Sequence, residues 1–136
     1  MSYGVAAALQ TAVYQSLVGD EILSGLVGSA IYDAAPAGTL PQLYVSLGPE
    51  DVTDASDQSG YGARHEFVVS IVADAAGFMT AKHVATAVSD NLVDADLILT
   101  RGRLVGLSFV SAKARRVQDS DVRRIDLRFR ARVEDN

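Results

Sequence analysis

Two histidines, three spaced aspartates and a run of arginines are the side chains of this sequence whose types and spacing could do chemistry. His65 falls on the inward parity near a strand end, and His83 sits off the buried stripe of a helix beside Met79 and Ala87. A zinc centre or a catalytic triad needs several groups converging on one point. Glu66, the adjacent carboxylate, projects from the opposite face of the strand, and no H-E-x-x-H pattern is present. Both histidines therefore read as packing or surface residues. Asp51, Asp54 and Asp57 have the spacing of a cation site, but the Gly and distal Glu of a calcium loop are missing. They read as a solvated loop or as a docking arm for a basic neighbour. Gly60-Tyr61-Gly62 does not continue into a phosphate loop, and there is no G-x-S-x-G nucleophile elbow. The absence of cysteine removes thiolate catalysis, thiolate metal ligation and disulfides. No enzyme, cofactor or metal is expected.

The arginines are more informative. In residues 122–134, VRRIDLRFRARVE, Ile125, Leu127, Phe129, Ala131 and Val133 share one parity. Arg124, Asp126, Arg128, Arg130, Arg132 and Glu134 share the other. Alternation of this kind gives a strand one apolar and one charged face, whereas a helix would scatter both sets. The apolar face needs a core, and the arginine ladder needs water or an acidic partner. Nucleic acid is a poor fit. The chain carries a net charge of −5, Asp119, Asp121 and Asp126 interrupt the basic patch, and its nearest aromatics, Phe109 and Phe129, are on the buried parity.

The net charge conceals a polarised chain. Residues 1–100 contain two basic and twelve acidic side chains, and residues 101–136 contain ten basic and five acidic ones. Such a molecule can bind copies of itself head to tail, in contacts that close into a ring when the rotation allows. The acidic Glu50, Asp51, Asp54 and Asp57 of one copy are expected to meet Arg124, Arg128, Arg130 and Arg132 of the next.

The elements that must hold these groups follow from periodicity. At 136 residues, 49% of them hydrophobic and 21% charged, the chain is expected to form one packed domain. Residues 2–17 read as an Ala-rich helix ended by Gly19, and Asp20 caps a short second helix closed by Gly28. A short strand at 30–33 and a loop at 34–41 follow. Residues 42–47 and 64–74 alternate as strands around a projecting acidic loop at 49–61. Residues 77–92 form the second main helix, burying Phe78, Ala81, Ala85, Val88 and Leu92. Residues 104–117, with Val105, Leu107 and Phe109 inward, then pair with the arginine strand as a second hairpin. The expected fold is α+β: an antiparallel sheet of about four main strands, in two hairpins, with two main helices on one face. The N-terminus lacks the pattern of a signal peptide and no apolar run spans a bilayer, so synthesis in the cytoplasm without a membrane role is expected.

Read as a whole, the chain resembles the tail terminator, or tail-completion, proteins of long-tailed bacteriophages, in the versions found in prophages and gene transfer agents. The resemblance runs through AAALQTAVYQSLVGD (6–20), LVGSAIYDAAPAG (26–38), LYVSLGPEDVTD (43–54), GARHEFVVSIVADAAG (62–77) and GRLVGLSFVSAKARRVQDSDVRRIDLRFRARVE (102–134). It rests on the order and spacing of these segments. It implies a hexameric ring at the head-proximal end of a tail, at the tail–head junction of a phage-like particle. The ring would stop tube polymerisation, meet the tail tube protein and the head–tail connector, and pass DNA without sequence-specific binding. The family has no catalytic residues to carry over. Arg115, Arg116 and Arg123 are then the expected contacts with tube or connector. A connector or stopper ring is the alternative within such particles, and a small acidic binding module or an unrecognised enzyme the alternatives outside them.

Overall fold

The alanine-rich start of the chain coils because Ala, Leu and Gln are strong helix formers and its larger apolar residues recur every three or four positions. The computed structural model describes residues 3–34, 36–56, 61–74 and 77–135. Helix α1 (Ala6–Val18) buries Ala6, Ala8, Leu9, Val13 and Leu17. It begins four residues later than expected, because Val5 is already packed in the core as an N-cap without a side-chain cap. Gly19 closes it, and Asp20 opens α2 (Glu21–Val27), its Oδ1 accepting the Leu23 N–H at 2.9 Å. Gly28, at φ 61°, ends α2 in a left-handed conformation that costs glycine little.

Strand β1 (Ile31–Tyr32) pairs with β2 (Leu43–Asp54) in parallel, Ile31 opposite Val45. The sheet is therefore mixed and five-stranded, with order β1-β2-β3-β5-β4, rather than wholly antiparallel with four main strands. The ten residues between β1 and β2, with prolines at 36 and 41, are too long for a tight hairpin and return the chain in the same sense. The other strands, β3 (Tyr61–Asp74), β4 (Arg103–Arg116) and β5 (Val122–Asp135), form the two expected antiparallel hairpins, β2–β3 and β4–β5, joined by β3–β5.

Helix α3 (Gly77–Leu92) has the expected bounds, and Ala81, Val84, Ala85, Val88 and Leu92 form its buried stripe. Asn91 ties the three helices together. Its amide donates to the Ser16 carbonyl at 3.1 Å and to Asp20 Oδ2 at 2.9 Å, and its side-chain oxygen accepts from the Ser16 hydroxyl at 2.8 Å.

The inner sheet face meets this helix layer through His65, Phe67, Val69, Ile71 and Ala73 of β3 and Ile125, Leu127, Phe129, Ala131 and Val133 of β5, all buried. Phe67 stacks on Phe129 at 5.8 Å, and Phe109 meets Phe129 edge-on at 6.0 Å. Each fully buried side chain of this size contributes about 1.5–3 kcal/mol, so β3 and β5 carry the core.

Two further expectations change. Residues 49–54 are not loop: after a bulge between Leu47 and Glu50, β2 runs on to Asp54, with Glu50 opposite Phe67 and Asp54 opposite Ala63. Their charge suggested a loop, but an edge strand tolerates charge because one side of it faces water. In β4, bulges between Leu104 and Gly106 and between Phe109 and Ser111 break simple alternation. Leu107 is buried as expected, whereas Val105 is 47% and Phe109 46% exposed.

Candidate assembly surfaces

The bulge in β2 has a chemical effect on the inner face. It turns Glu50 toward the helix layer, where its Oε2 lies 3.1 Å from Nδ1 of the fully buried His65. His65 Nε2 has no hydrogen-bond partner among the described residues. Glu66 does project from the opposite face, where it pairs with Arg130. His83 is exposed on α3, in an open hollow shared with Asp20 and Asp90. Among the described residues, no group of three His, Asp or Glu side chains is placed to hold a metal.

The arginine ladder covers the outer face, and it is largely occupied within the chain. Arg124 Nε donates to Asp126 Oδ1 at 2.9 Å and its Nη2 to the Ser70 hydroxyl at 3.1 Å, while Ser70 donates to Asp126 at 2.6 Å. Arg128 Nη1 lies 3.9 Å from both Asp51 and Glu66. Arg130 donates from Nε and Nη2 to Glu66 Oε2 at 3.2 and 3.0 Å, and Arg132 donates to the Ala55 carbonyl at 3.0 Å. Arg128 and Arg124 lie directly opposite Val68 and Val72 of β3, which are buried although they face away from the helices. Long arginine stems shield such residues while the guanidinium stays wet.

The other expected positions separate by strand. Asp51 is exposed on β2. Asp54 accepts from Ser56 through hydroxyl and N–H at 2.7 and 3.1 Å, bonds that hold its carboxyl below the ordinary range. Asp57 lies outside the described residues. Arg123 is set against the Phe78 ring at 5.5 Å and donates to the Asp121 carbonyl. Arg116 caps the β4–β5 turn through the Ser120 carbonyl at 2.8 Å, and Arg115 is exposed on β4.

The two margins of the sheet differ in charge. β1 pairs only with Val45 and Ser46, so β2 beyond it forms one margin, and β4 forms the other. β2 carries Glu50, Asp51 and Asp54 and no basic residue. β4 carries Arg103, Lys113, Arg115 and Arg116 and no acidic one. β4 also exposes Val105, Phe109 and Val110.

Residues 11–134 match the model of the family described as tail completion protein gp17. The chain belongs to the tail completion protein family. It is also similar to a solved chain from the virion of a native gene transfer agent particle. The two are 67% identical, the match covers 98% of this chain and 99% of that one, and the TM-score is 0.92. No curated protein matches the chain. Family membership makes it a structural tail protein of a phage-like particle. Among the described residues, no helix is long and apolar enough to cross a membrane.

For this tail completion protein, sequence reasoning placed the ladder correctly and missed two features. The Glu50–His65 pair was hidden by the bulge, which shifts parity midway through β2. The apolar margin of β4 was hidden for two reasons: the first bulge takes Val105 out of alternation, and Phe109, although it sits opposite inward Phe129, lies at an edge that the core leaves half uncovered. Gly106, just after the first bulge, is the one local signal that regular pairing breaks there.

Proposed function

We propose that this tail completion protein forms a closed homo-oligomeric ring, a hexamer, at the head-proximal end of a phage-like tail. There it ends polymerisation of the tail tube and supplies the joint to the head–tail connector, while DNA passes through without sequence-specific binding. The observation that carries this reading is the 67% identical chain within a gene transfer agent virion, matched over nearly its whole length. The two oppositely charged sheet margins support it, since they favour a heterologous contact that repeats from copy to copy. In this reading the acidic Glu50, Asp51 and Asp54, with Asp57 beyond them, form one side of the subunit joint. The ladder residues Arg124, Arg128, Arg130 and Arg132 are second to β4 as the other side, because each already holds a partner within the chain, as Arg103 and Arg116 of β4 also do, whereas Lys113 and Arg115 hold none among the described residues. Arg115 and Arg116 lie where a neighbouring copy, tube or connector can reach them.

Electron microscopy of particles from a strain lacking the gene tests the proposal. Overlong tubes separate from filled heads are the expected result. Tails of normal length beside unjoined heads would replace it with the connector reading. Intact particles would overturn both.

A further inference from the structure

We propose that neighbouring copies join edge to edge, residues 111–116 of β4 in one copy lying along residues 50–54 of β2 in the next. This rests on the reading that the protein assembles with itself, and names the surface through which it does so. Both segments are regular, unbulged stretches, since the register shifts lie between Leu47 and Glu50 in β2 and between Leu104 and Gly106 and between Phe109 and Ser111 in β4. Each is about the length of an ordinary strand pairing. Upstream of them the bulges, and Pro49 with no N–H to donate, interrupt any longer ladder.

Direction and charge agree. β2 and β3, β3 and β5, and β5 and β4 are all antiparallel, so β4 of one copy meets β2 of the next in antiparallel sense when both sheets face the same way. Lys113 and Arg115 share the outer face with Asp126 and Arg124, their partners in β5, while Ala112 and Ala114 share the inner face with Leu127 and Ile125. On β2, Asp51 and Thr53 are outer and Glu50, Val52 and Asp54 inner. The antiparallel register that sets Arg115 opposite Asp51 therefore also sets Arg116 opposite Glu50, Ala114 opposite Val52 and Lys113 opposite Thr53. It places opposite charges and an apolar pair across the joint, and sets Ala112 opposite Asp54, an exposed carboxylate already held by Ser56. Asp51 is well placed to reach out, its side chain being 88% exposed.

The joint is staggered. Within one copy, residues 50–54 lie level with 63–67 of β3, and residues 111–116 are level with 68–73. The offset of about five or six residues, roughly 18 Å at the strand rise, is absorbed as strand tilt when a sheet closes on itself.

Because the chain lacks cysteine, the double variant Thr53→Cys/Lys113→Cys carries the only thiols. Particles assembled with it and exposed to mild oxidant are expected to give a disulfide ladder of this protein from dimer upward. A second pair of variants reads charge: Arg115→Glu should lose tail termination and Arg115→Glu/Asp51→Arg should regain it. Normal particles that contain several copies of the double-cysteine protein but give no ladder would overturn the edge joint while leaving the ring reading intact. Cross-links to the tube protein alone would assign the edge to that partner and overturn the proposal. A single copy per particle would overturn the ring reading and the joint together.

Discussion

β5 and β4 are neighbours of equal length, each bearing arginines, yet one is committed inward and the other outward. β5 lies between two strands, and its arginines find Ser70, Glu66, Asp51, Asp126 and the Ala55 carbonyl within their own chain. β4 has one strand neighbour; Arg103 and Arg116 near its ends pair with Glu134 and Asp121, but Arg115 is exposed and Val105, Phe109 and Val110 are left partly in water. The difference lies in topology rather than composition. A charged side chain on an interior strand has partners on both sides; on an edge strand half of its surroundings are absent. An exposed, partly apolar edge is a liability in a protein that stays alone and an asset in one that assembles.

The largest effect is expected at Phe129 of β5, which is fully buried between Phe67 and Phe109. Phe129→Ala should lower the unfolding free energy by about 3–5 kcal/mol in urea titration, while Phe109→Ala, half in water already, should cost far less stability and mainly impair assembly. Equal losses at the two sites would erase the distinction between core strand and edge strand.

Next comes the start of the edge strand. Gly102 has φ +71°, and a Cβ there would lie 2.5 Å from the Glu134 carbonyl oxygen and 2.7 Å from Val5 Cγ2. Gly102→Ala should cost at least about 2 kcal/mol in the same measurement, because strain and clash add.

The helix layer supplies an intermediate case. Asp20→Ala should cost about 1 kcal/mol at neutral pH, as loss of an N-cap. The Leu23 N–H, followed by the Asn91 amide, holds the Asp20 carboxyl below its ordinary value. A lowered folded-state pKa contributes stability that is complete above the unfolded carboxylate value and fades as pH falls through the folded one. The gap between wild type and variant should therefore close below about pH 4, as thermal melts at several pH values would record.

The smallest change is expected at the exposed ion pair of β5. Arg130→Ala removes a two-pronged contact with Glu66 and should cost about 0.2–1 kcal/mol of monomer stability. Arg115→Ala should leave the melting curve unchanged and weaken only assembly. A stability loss at Arg115 matching that at Arg130 would mean that the edge arginine serves the monomer after all.

The contrast also explains what could be read in the sequence. The bounds of α3, the Asp20 cap and the two faces of β5 were legible because each depends on local periodicity or one capping residue. β1 was legible as a strand at 30–33, but its parallel pairing was not, since a two-residue strand carries no directional pattern. The acidic stretch looked like a loop because composition outweighed alternation at Glu50, Val52 and Asp54. The ladder's partners were invisible for another reason: Glu66 and Asp51 reach Arg128 only through register across three strands.

β3, buried on both faces and paired along its length with β5, has a consequence in time rather than in space. Each of its amides donates to one flanking strand while the strand itself is held from both sides, so they should report the slowest, global unfolding event. The ends of the helices and the outer edge of β4 should exchange long before. A subunit built this way can rearrange its margins while its central strand keeps the memory of the fold.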